Sequence, residues 1–569
     1  MSIQINALKE LSLRGSDYAK KTGPDRYDIY EQEAKPPLIP IIAFIKLKEK
    51  KVDKFDGSFG FDWLEYNVEQ KKYTHVQGTP ISSLEKYFDA ESGKFITNLS
   101  EEQKIEKIKL DYEQLVEVKD MDYRMPYLSM KAGQTIKLTL DIQVLPYKKE
   151  EQDRESNALT IKAPENYELQ VKDSLEGIKK DKKVTLAIHC KQASSTGTLI
   201  IKDKDEKVIG GLVMVDNTQT TTIHIRMVAL LEKPSDAKDA DSYARLMLST
   251  IDVGKLEKYL NENSLNQANI QAVIEKENNK LPLYYLNFDA TAAEWKDYMQ
   301  KEDGTMKFKD KVDIEDTLIT QLEQQYRKKY AAAEQQQAFN GVLLFVTKEE
   351  KLSRYTTGGE SKPIPVDYNN IIIFGNRLTD NYAYAHELGH LLGLHHVFSK
   401  GKEEEEECEG LYSDYRKNKA LYEKVIKNTR AKYYDETKVT PEDKEKMEDL
   451  EKELNSTITK INDKNTAPNE LEALKKKVSN ISNVRDELRI KYVDDKDIDQ
   501  QRDKDAIEGC RKQLAIIQEV LQICTINKYK FTQGGTYNIM DYDDNNSKTK
   551  CLFNHIQWVM LKRNTAFTK

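Results

Sequence analysis

The sequence predicts a multi-domain protein in which N-terminal all-β, sandwich-like modules precede an α+β domain with a helical-hairpin insertion. Three patterns support this prediction. Short strand-like runs occur within the first 221 residues, helix-like and strand-like segments alternate after about residue 236, and long amphipathic helical patterns occupy residues 411–509. The 569 residues also exceed what one hydrophobic core organises, so several domains are expected.

Residues 1–145 are predicted to form the first β-rich module. Strand-like runs occur at Pro40–Leu47 and at Phe59–Tyr66. A further strand is predicted after the turn-forming Ala132-Gly133, because apolar residues alternate there with polar ones. Its apolar residues are Ile136, Leu138, Leu140 and Ile142.

Residues 146–221 are predicted to form a second module, an Ig-like β-sandwich. The strand candidates are Val184–Cys190, Thr198–Lys202 and Val208–Val215. The next apolar run, Ile223–Leu231, can either close this sandwich or open the sheet of the following domain. Both alternatives fit the pattern, and we place the domain boundary at residues 221/222.

Residues 222–569 are predicted to form the α+β domain. Asp313–Tyr330 has the apolar spacing of an amphipathic helix, and Gly341–Thr347 and Asn370–Phe374 are apolar strands. A helix is expected from about Tyr382 onward. This order places a mixed sheet before that helix.

The helical insertion is predicted over about residues 409–509. Apolar residues recur there every three or four positions, and Thr440-Pro441 combines a capping threonine with proline at the first helical position. Asn465-Thr466-Ala467-Pro468 marks a break between two helices. The acidic run 403–407 just before the insertion is expected to be a solvated loop. The insertion itself can serve as a spacer or lid support, or as a docking arm for a substrate or partner.

The most informative stretch is residues 386–396, which read H-E-x-x-H-x-x-G-x-x-H and hold four of the eight histidines. Because residues four apart share one helix face, His386 and His390 can bind the same metal ion. Glu387 can then reach a water at that metal without being a ligand. Gly393 can end the helix and turn the chain, which returns His396 as a third ligand. His395 does not fit this offset and is expected to point away from the metal.

This stretch, with Gly393-Leu394-His395-His396-Val397-Phe398, resembles the metzincin zinc endopeptidases, and most of all their pappalysin branch. Asn538-Ile539-Met540-Asp541-Tyr542 is similar to the methionine turn of that family. The resemblance covers roughly residues 236–569, apart from the insertion. It implies a metzincin, zincin-like catalytic domain with one catalytic zinc ion. Its implied site residues are the ligands His386, His390 and His396, the general base Glu387, Met540 beneath the zinc, and Tyr542 beside the transition state.

Four of the five cysteines follow the zinc-helix motif, and the fifth, Cys190, is expected to be a buried core thiol. Four cysteines permit three pairings. The family resemblance favours the disulfides Cys408–Cys510 and Cys524–Cys551. The glycine- and aspartate-rich calcium pattern of pappalysin-like enzymes is absent, so the resemblance does not extend to Ca²⁺ binding.

The resemblance implies a secreted zinc-dependent endopeptidase in which Glu387 activates a water for hydrolysis of peptide bonds in a protein or peptide substrate. The N-terminal β modules would then serve targeting or delivery, as in bacterial toxins or effectors. They or the insertion could contact secretion machinery or another partner protein. The alternative is a non-catalytic, zinc-stabilised binding module that acts through its β domains and helical arm.

Composition bounds the remaining possibilities. A net charge of −7 gives no indication of a nucleic-acid partner, and no apolar run approaches the ~20 residues of a transmembrane segment. Residues 1–6 lack the apolar core of a secretory signal. Disulfides would favour an oxidising destination. We therefore expect export by a route without an ordinary signal peptide, or residence in the cytoplasm before export.

Overall fold

The computed structural model describes residues 37–48, 52–116, 118, 121–146, 154–232, 239–309, 318–331, 339–352, 359–361, 369–399, 402–463, 467–542 and 550–565. It is a mixed α/β structure with several sheets. Its strands are β1 (Ile41–Leu47), β2 (Gly60–Asp62), β3 (Leu64–Asn67), β4 (Lys72–Val76), β5 (Thr79–Pro80), β6 (Leu84–Asp89), β7 (Lys94–Ile96), β8 (Tyr127–Ser129), β9 (Thr135–Val144), β10 (Leu159–Lys162), β11 (Tyr167–Val171), β12 (Lys182–Cys190), β13 (Gly197–Asp203), β14 (Val208–Met214), β15 (Thr221–Glu232), β16 (Ile270–Ile274), β17 (Tyr285–Phe288), β18 (Met299–Glu302), β19 (Thr305–Phe308), β20 (Val342–Thr347), β21 (Gly359–Glu360), β22 (Asn370–Ile373) and β23 (Tyr529–Phe531).

The helices are α1 (Glu101–Lys109), α2 (Ala240–Ser249), α3 (Val253–Glu262), α4 (Leu318–Lys329), α5 (Asn381–Leu391), α6 (Lys402–Ala431), α7 (Pro441–Ile461), α8 (Pro468–Lys491), α9 (Gln501–Ile526) and α10 (His555–Asn564). In the described part of the chain, every helix is too short or too polar to cross a lipid bilayer.

Two N-terminal sheets share one apolar core. The first has the antiparallel order β1-β9-β12-β11, and the second has the order β10-β13-β14-β8-β2. Alternate side chains of β9 and β12 face the core between the sheets, as the period-two pattern predicts. The boundary predicted at residues 145/146 falls inside this pair of sheets, because β9 before it pairs with β12 after it, Leu140 opposite Val184. Strands from both predicted modules therefore contribute to one core.

A six-stranded sheet follows and carries helices on both faces. The strand order is β16-β15-β20-β22-β21, with β17 also paired to β15, and all neighbours are parallel except β21. One set of β15 side chains, including Ile225 and Met227, packs with α2, α3 and α5. The alternate set, Val228 and Leu230, packs with α4. The run Ile223–Leu231 thus belongs to this sheet and does not close the N-terminal sheets.

The predicted insertion is observed as part of a longer helical region. α6 packs along α9, and α7 packs against α8. The Thr440 hydroxyl accepts a hydrogen bond from the Asp443 amide, with Pro441 at the first helical position, as predicted for this helix start. The acidic run 403–407 lies inside α6, so the prediction of a loop there is wrong. Helix formation continues through this run because its residues are good helix formers despite their like charges.

The N-terminal and C-terminal parts of the chain are joined by backbone pairing. β23 pairs with β6 in a three-stranded sheet with β7. The Gln77 amide donates to the Phe553 carbonyl (3.0 Å), and the Asp62 carboxylate binds both the backbone amide and the Nδ1 of His555 at the start of α10. The N-terminal strands therefore belong to the structure that surrounds the residues of the H-E-x-x-H motif.

Candidate metal centre

Helix α5 positions the first two histidines. It begins after Asp380, whose carboxylate accepts from the Tyr382 amide, and its apolar face is buried against the six-stranded sheet. It ends at Leu391, and Gly393 takes a φ of +90° with its amide bonded to the His390 carbonyl. A side chain at position 393 would also meet the Asn564 amide nitrogen at 2.8 Å. Glycine is therefore required there, and the turn returns the chain toward the helix.

Three imidazoles converge beyond this turn. The His396 Nε2 atom lies 3.4 Å from the Nε2 of His386 and 3.2 Å from that of His390. The three residues are 7% exposed or less. Ligands in a tetrahedron at about 2.0–2.1 Å from a metal lie about 3.3–3.4 Å apart, so the observed spacing matches an N₃ set around one ion. His386, His390 and His396 could hold a metal ion.

Backbone carbonyls orient two of these rings. The Nδ1 atom of His386 lies 2.7 Å from the Ile539 carbonyl oxygen, and that of His390 lies 2.6 Å from the Leu394 carbonyl oxygen. A carbonyl only accepts, so each Nδ1 carries the proton and each Nε2 turns its lone pair toward the centre. The rings are thus held in the tautomer that a metal requires.

The turn at Met540 lies beneath the helix. Met540 is fully buried, and a side chain at Gly389 would meet its Sδ at 2.5 Å. The Gly389 position thus leaves room for the Met540 thioether under the helix. The ring of Tyr542 lies 5.0 Å from the His386 ring and 4.8 Å from the His396 ring, measured between centroids. The structure therefore places Tyr542 against two of the histidine rings and Met540 against the helix that carries His386 and His390.

Two residues, Asp541 and Tyr382, hold this turn through hydrogen bonds that were not predicted. The Asp541 carboxylate accepts from the Gly534 and Thr536 amides and from the Lys550 ammonium (3.1 Å), all buried or partly buried. The Tyr382 hydroxyl reaches the carbonyl oxygens of residues 539 (3.0 Å) and 541. Burial raises the pKa of Tyr382 well above its usual value, so the hydroxyl stays a donor. Tyr382 lies four residues before His386 and therefore on the same face of the helix, and this spacing could have indicated its position near the site.

The loop that carries His396 is supported by β23. The buried Lys530 ammonium donates to the His396 carbonyl (2.6 Å), and the Phe531 amide donates to the Val397 carbonyl (2.7 Å). The Asn527 side chain accepts from the His395 amide and donates to the Gly393 carbonyl (2.9 Å). Because β23 pairs with β6, the N-terminal part of the chain supports the third histidine.

His395 lies outside the cluster of converging ligand atoms. Burial, with a smaller contribution from the Lys530 ammonium, lowers the pKa of His395 to about 3. The ring is therefore neutral at physiological pH.

Glu387 lies beside the histidines and against the edge of the six-stranded sheet. Its side chain is buried, at 4% exposure for the residue. The Ser361 hydroxyl donates to Glu387 Oε2 (2.7 Å), and β21 passes so close that a side chain at Gly359 would lie 2.4 Å from Glu387 Cγ. Nothing in the sequence around Ser361 indicated this contact.

The disulfides predicted between Cys408 and Cys510 and between Cys524 and Cys551 are not formed in the described part of the chain, where all five cysteines are buried. Cys408 instead packs in one buried cluster with Cys524, because α6 and α9 pack along each other there. Cys510 is 14 residues from Cys524 on α9, which is about 21 Å along the helix, so Cys408 cannot reach it. Cys551 belongs to the core between the N-terminal sheets, apart from the Cys408 and Cys524 cluster.

No protein-family model matches the chain, and no curated protein matches it. The chemistry open to the site therefore follows from its own side chains. These are three imidazoles around one point, a buried carboxylate beside them and a tyrosine ring against two of them.

Proposed function

We propose that this chain is a zinc-dependent endopeptidase of the metzincin type, most similar to the pappalysin branch. The main observation in support of this proposal is that three histidine Nε2 atoms converge at the spacing of tetrahedral ligands, with the Glu387 side chain buried beside them. The six-stranded sheet and α5 would form the upper part of the catalytic domain. The turn at Met540 would form its floor.

Zinc is the metal that this donor set favours. Three neutral imidazoles without a thiolate or a carboxylate ligand are typical of catalytic zinc, which keeps a fourth position for water or substrate. When bound, zinc lowers the pKa of water to about 7 and polarises a carbonyl group. Hard cations such as Ca²⁺ prefer oxygen ligands and do not fit these three nitrogens.

The proton transfers are proposed to pass through Glu387. Its carboxylate takes a proton from the attacking water as the new C–O bond forms at the scissile carbonyl carbon. The same carboxyl then gives this proton to the departing amine nitrogen as the C–N bond breaks. The Tyr542 hydroxyl is proposed to help stabilise the developing oxyanion, and the packing of its ring against His386 and His396 supports this role. Peptide and water are consumed, and a carboxylate and an amine are released.

Secretion, and delivery as a toxin or effector, remain part of this proposal. The N-terminal strands would have to serve it while also supporting the metal centre, since β6 pairs with β23 and Lys530 of β23 binds the His396 carbonyl. A targeting module that is simply appended would not need such contacts. The helices α7 and α8, which pack against each other and, through α8, against α6, are the more separable candidate for contacts with a partner protein.

The proposed activity is tested by incubating the purified chain with an unfolded protein substrate. We expect cleavage that a chelator abolishes and that added zinc restores. Zinc-loaded protein that cleaves no substrate, including itself, would refute the proposed activity. It would favour the alternative, a zinc-stabilised binding module that acts through its β region and helical arm.

A further inference from the structure

The edge strand β21 presents two faces with different roles. It pairs antiparallel with β22, with Gly359 opposite Ile373 and Glu360 opposite Ile372. Side chains alternate across a strand, so Gly359 and Ser361 face α5 while Glu360 faces the other way. On that second face, Glu360 binds the buried ammonium of Lys351 (3.0 Å). This ion pair anchors the strand without involving the metal centre.

Gly359 allows the strand to lie directly on Glu387. A Cβ at position 359 would be 2.4 Å from Glu387 Cγ and 2.8 Å from its Cδ, distances that no real side chain tolerates. The backbone of β21 therefore forms one wall around the proposed general base. The next position on the same face of the strand is Ser361, which carries a side chain that can reach the Glu387 carboxylate.

Ser361 makes that contact. Its hydroxyl lies 2.7 Å from Glu387 Oε2 and is the donor, because an ionised carboxylate only accepts. A hydrogen bond to an ionised acceptor is stronger than one between neutral groups, and here it lies in a largely buried place. A hydroxyl also orients the carboxylate without adding a positive charge. A positive charge at this place would lower the pKa of Glu387 and weaken it as a base.

We propose that Ser361 is a positioning residue for Glu387. The hydroxyl restricts the rotation of the Glu387 carboxylate and holds it in the orientation that accepts a proton from water. This inference rests on the proposed function of Glu387 as general base. It assigns to the edge strand a role in the chemical step.

The first test compares steady-state hydrolysis by Ser361→Ala, Ser361→Thr and wild-type protein, each with measured zinc content and melting temperature. We expect Ser361→Ala to lower kcat between about tenfold and a hundredfold with KM unchanged, because a misdirected base slows the chemical step alone. Ser361→Thr keeps the hydroxyl and should restore most of kcat. As a control, Ser249→Ala removes an exposed serine hydrogen bond at the end of α2, to the Leu246 carbonyl, and should match the wild type.

Two kinetic results would overturn the inference: an unchanged kcat in Ser361→Ala, or a raised KM with kcat unchanged, which would make Ser361 a substrate contact.

The second test does not need activity. In crystal structures of metal-loaded wild type and Ser361→Ala, we expect one Glu387 rotamer in the first and a displaced or multiple carboxylate in the second. An identical, ordered carboxylate in both would refute positioning by Ser361. A wild type that fails to hydrolyse any peptide would refute the proposed function, while this comparison would still decide the role of Ser361.

Discussion

Replacing Lys550 by methionine is expected to open the turn that holds Met540 under the histidine helix. The Asp541 carboxylate is 0% exposed and the Lys550 side chain 4% exposed, with Lys550 Nζ 3.1 Å from Asp541 Oδ2. Removing one partner of a buried ion pair costs about 3–5 kcal/mol, because the other charge stays desolvated. Asp541 still accepts hydrogen bonds from Gly534 and Thr536 in this variant, so we expect a loss of local stability of about 3 kcal/mol, at the lower end of this range.

Hydrogen exchange measured by mass spectrometry reports the local loss of stability in the segment that contains the turn. A local loss of about 3 kcal/mol corresponds to roughly a hundredfold faster exchange of amides in the segment 534–541. A peptide covering β12 serves as the internal control and should exchange at the wild-type rate. In Asp541→Asn/Lys550→Met, the loss should be smaller than the sum of the two single losses, because neither charge remains unpaired. Additive single losses, or exchange at the wild-type rate in Lys550→Met, would refute this account of the turn.

Three further predictions concern other parts of the molecule. His396→Ala should lose the bound metal and His395→Ala should keep it, as measured by metal analysis after dialysis. The reverse result would show that His395, and not His396, is the third metal ligand. Mild oxidation should crosslink Cys408 to Cys524, identified by peptide mapping without reduction, and mapping to any other pair would contradict their observed contact. Hydrogen bonds from Lys491, the last residue of α8, and from Tyr492, which follows it, lower the pKa of Asp443 to about 2. Its contribution to helix stability is therefore complete above about pH 4, the unfolded value, and is lost as the pH falls toward 2. The melting temperature of Asp443→Asn should lie below that of wild type at pH 7 and meet it near pH 2, and a constant difference would contradict this.

Local patterns predicted the elements that depend on neighbours in sequence. The helix with His386 and His390, the turn at Gly393 and the start of α7 at Pro441 each follow from residues within one or two helical turns. The period-two patterns of β9 and β12 likewise indicated strands at nearly their observed limits. Such features are predictable because their geometry depends on backbone spacing and capping.

Contacts between distant segments were not predictable in the same way. The pairing of β9 with β12 crosses the boundary placed at residue 145, because alternation indicates a strand but not its neighbour. The disulfide prediction was wrong because the packing of α6 along α9, which brings Cys408 to Cys524, is not encoded by cysteine spacing. Lys530 and Ser361 were missed for the same reason, since Lys530 on β23 and Ser361 after β21 are both distant in sequence from the site residues that they contact.

The central claim is that Glu387 moves the proton in a hydrolysis that depends on zinc at three histidines. The most direct test measures zinc content and peptide hydrolysis on the same samples of wild type and Glu387→Gln. We expect about one zinc ion per chain in both proteins and a loss of hydrolysis of at least about a hundredfold in the variant, because glutamine cannot accept the proton. Hydrolysis at the wild-type rate by zinc-loaded Glu387→Gln would contradict the claim.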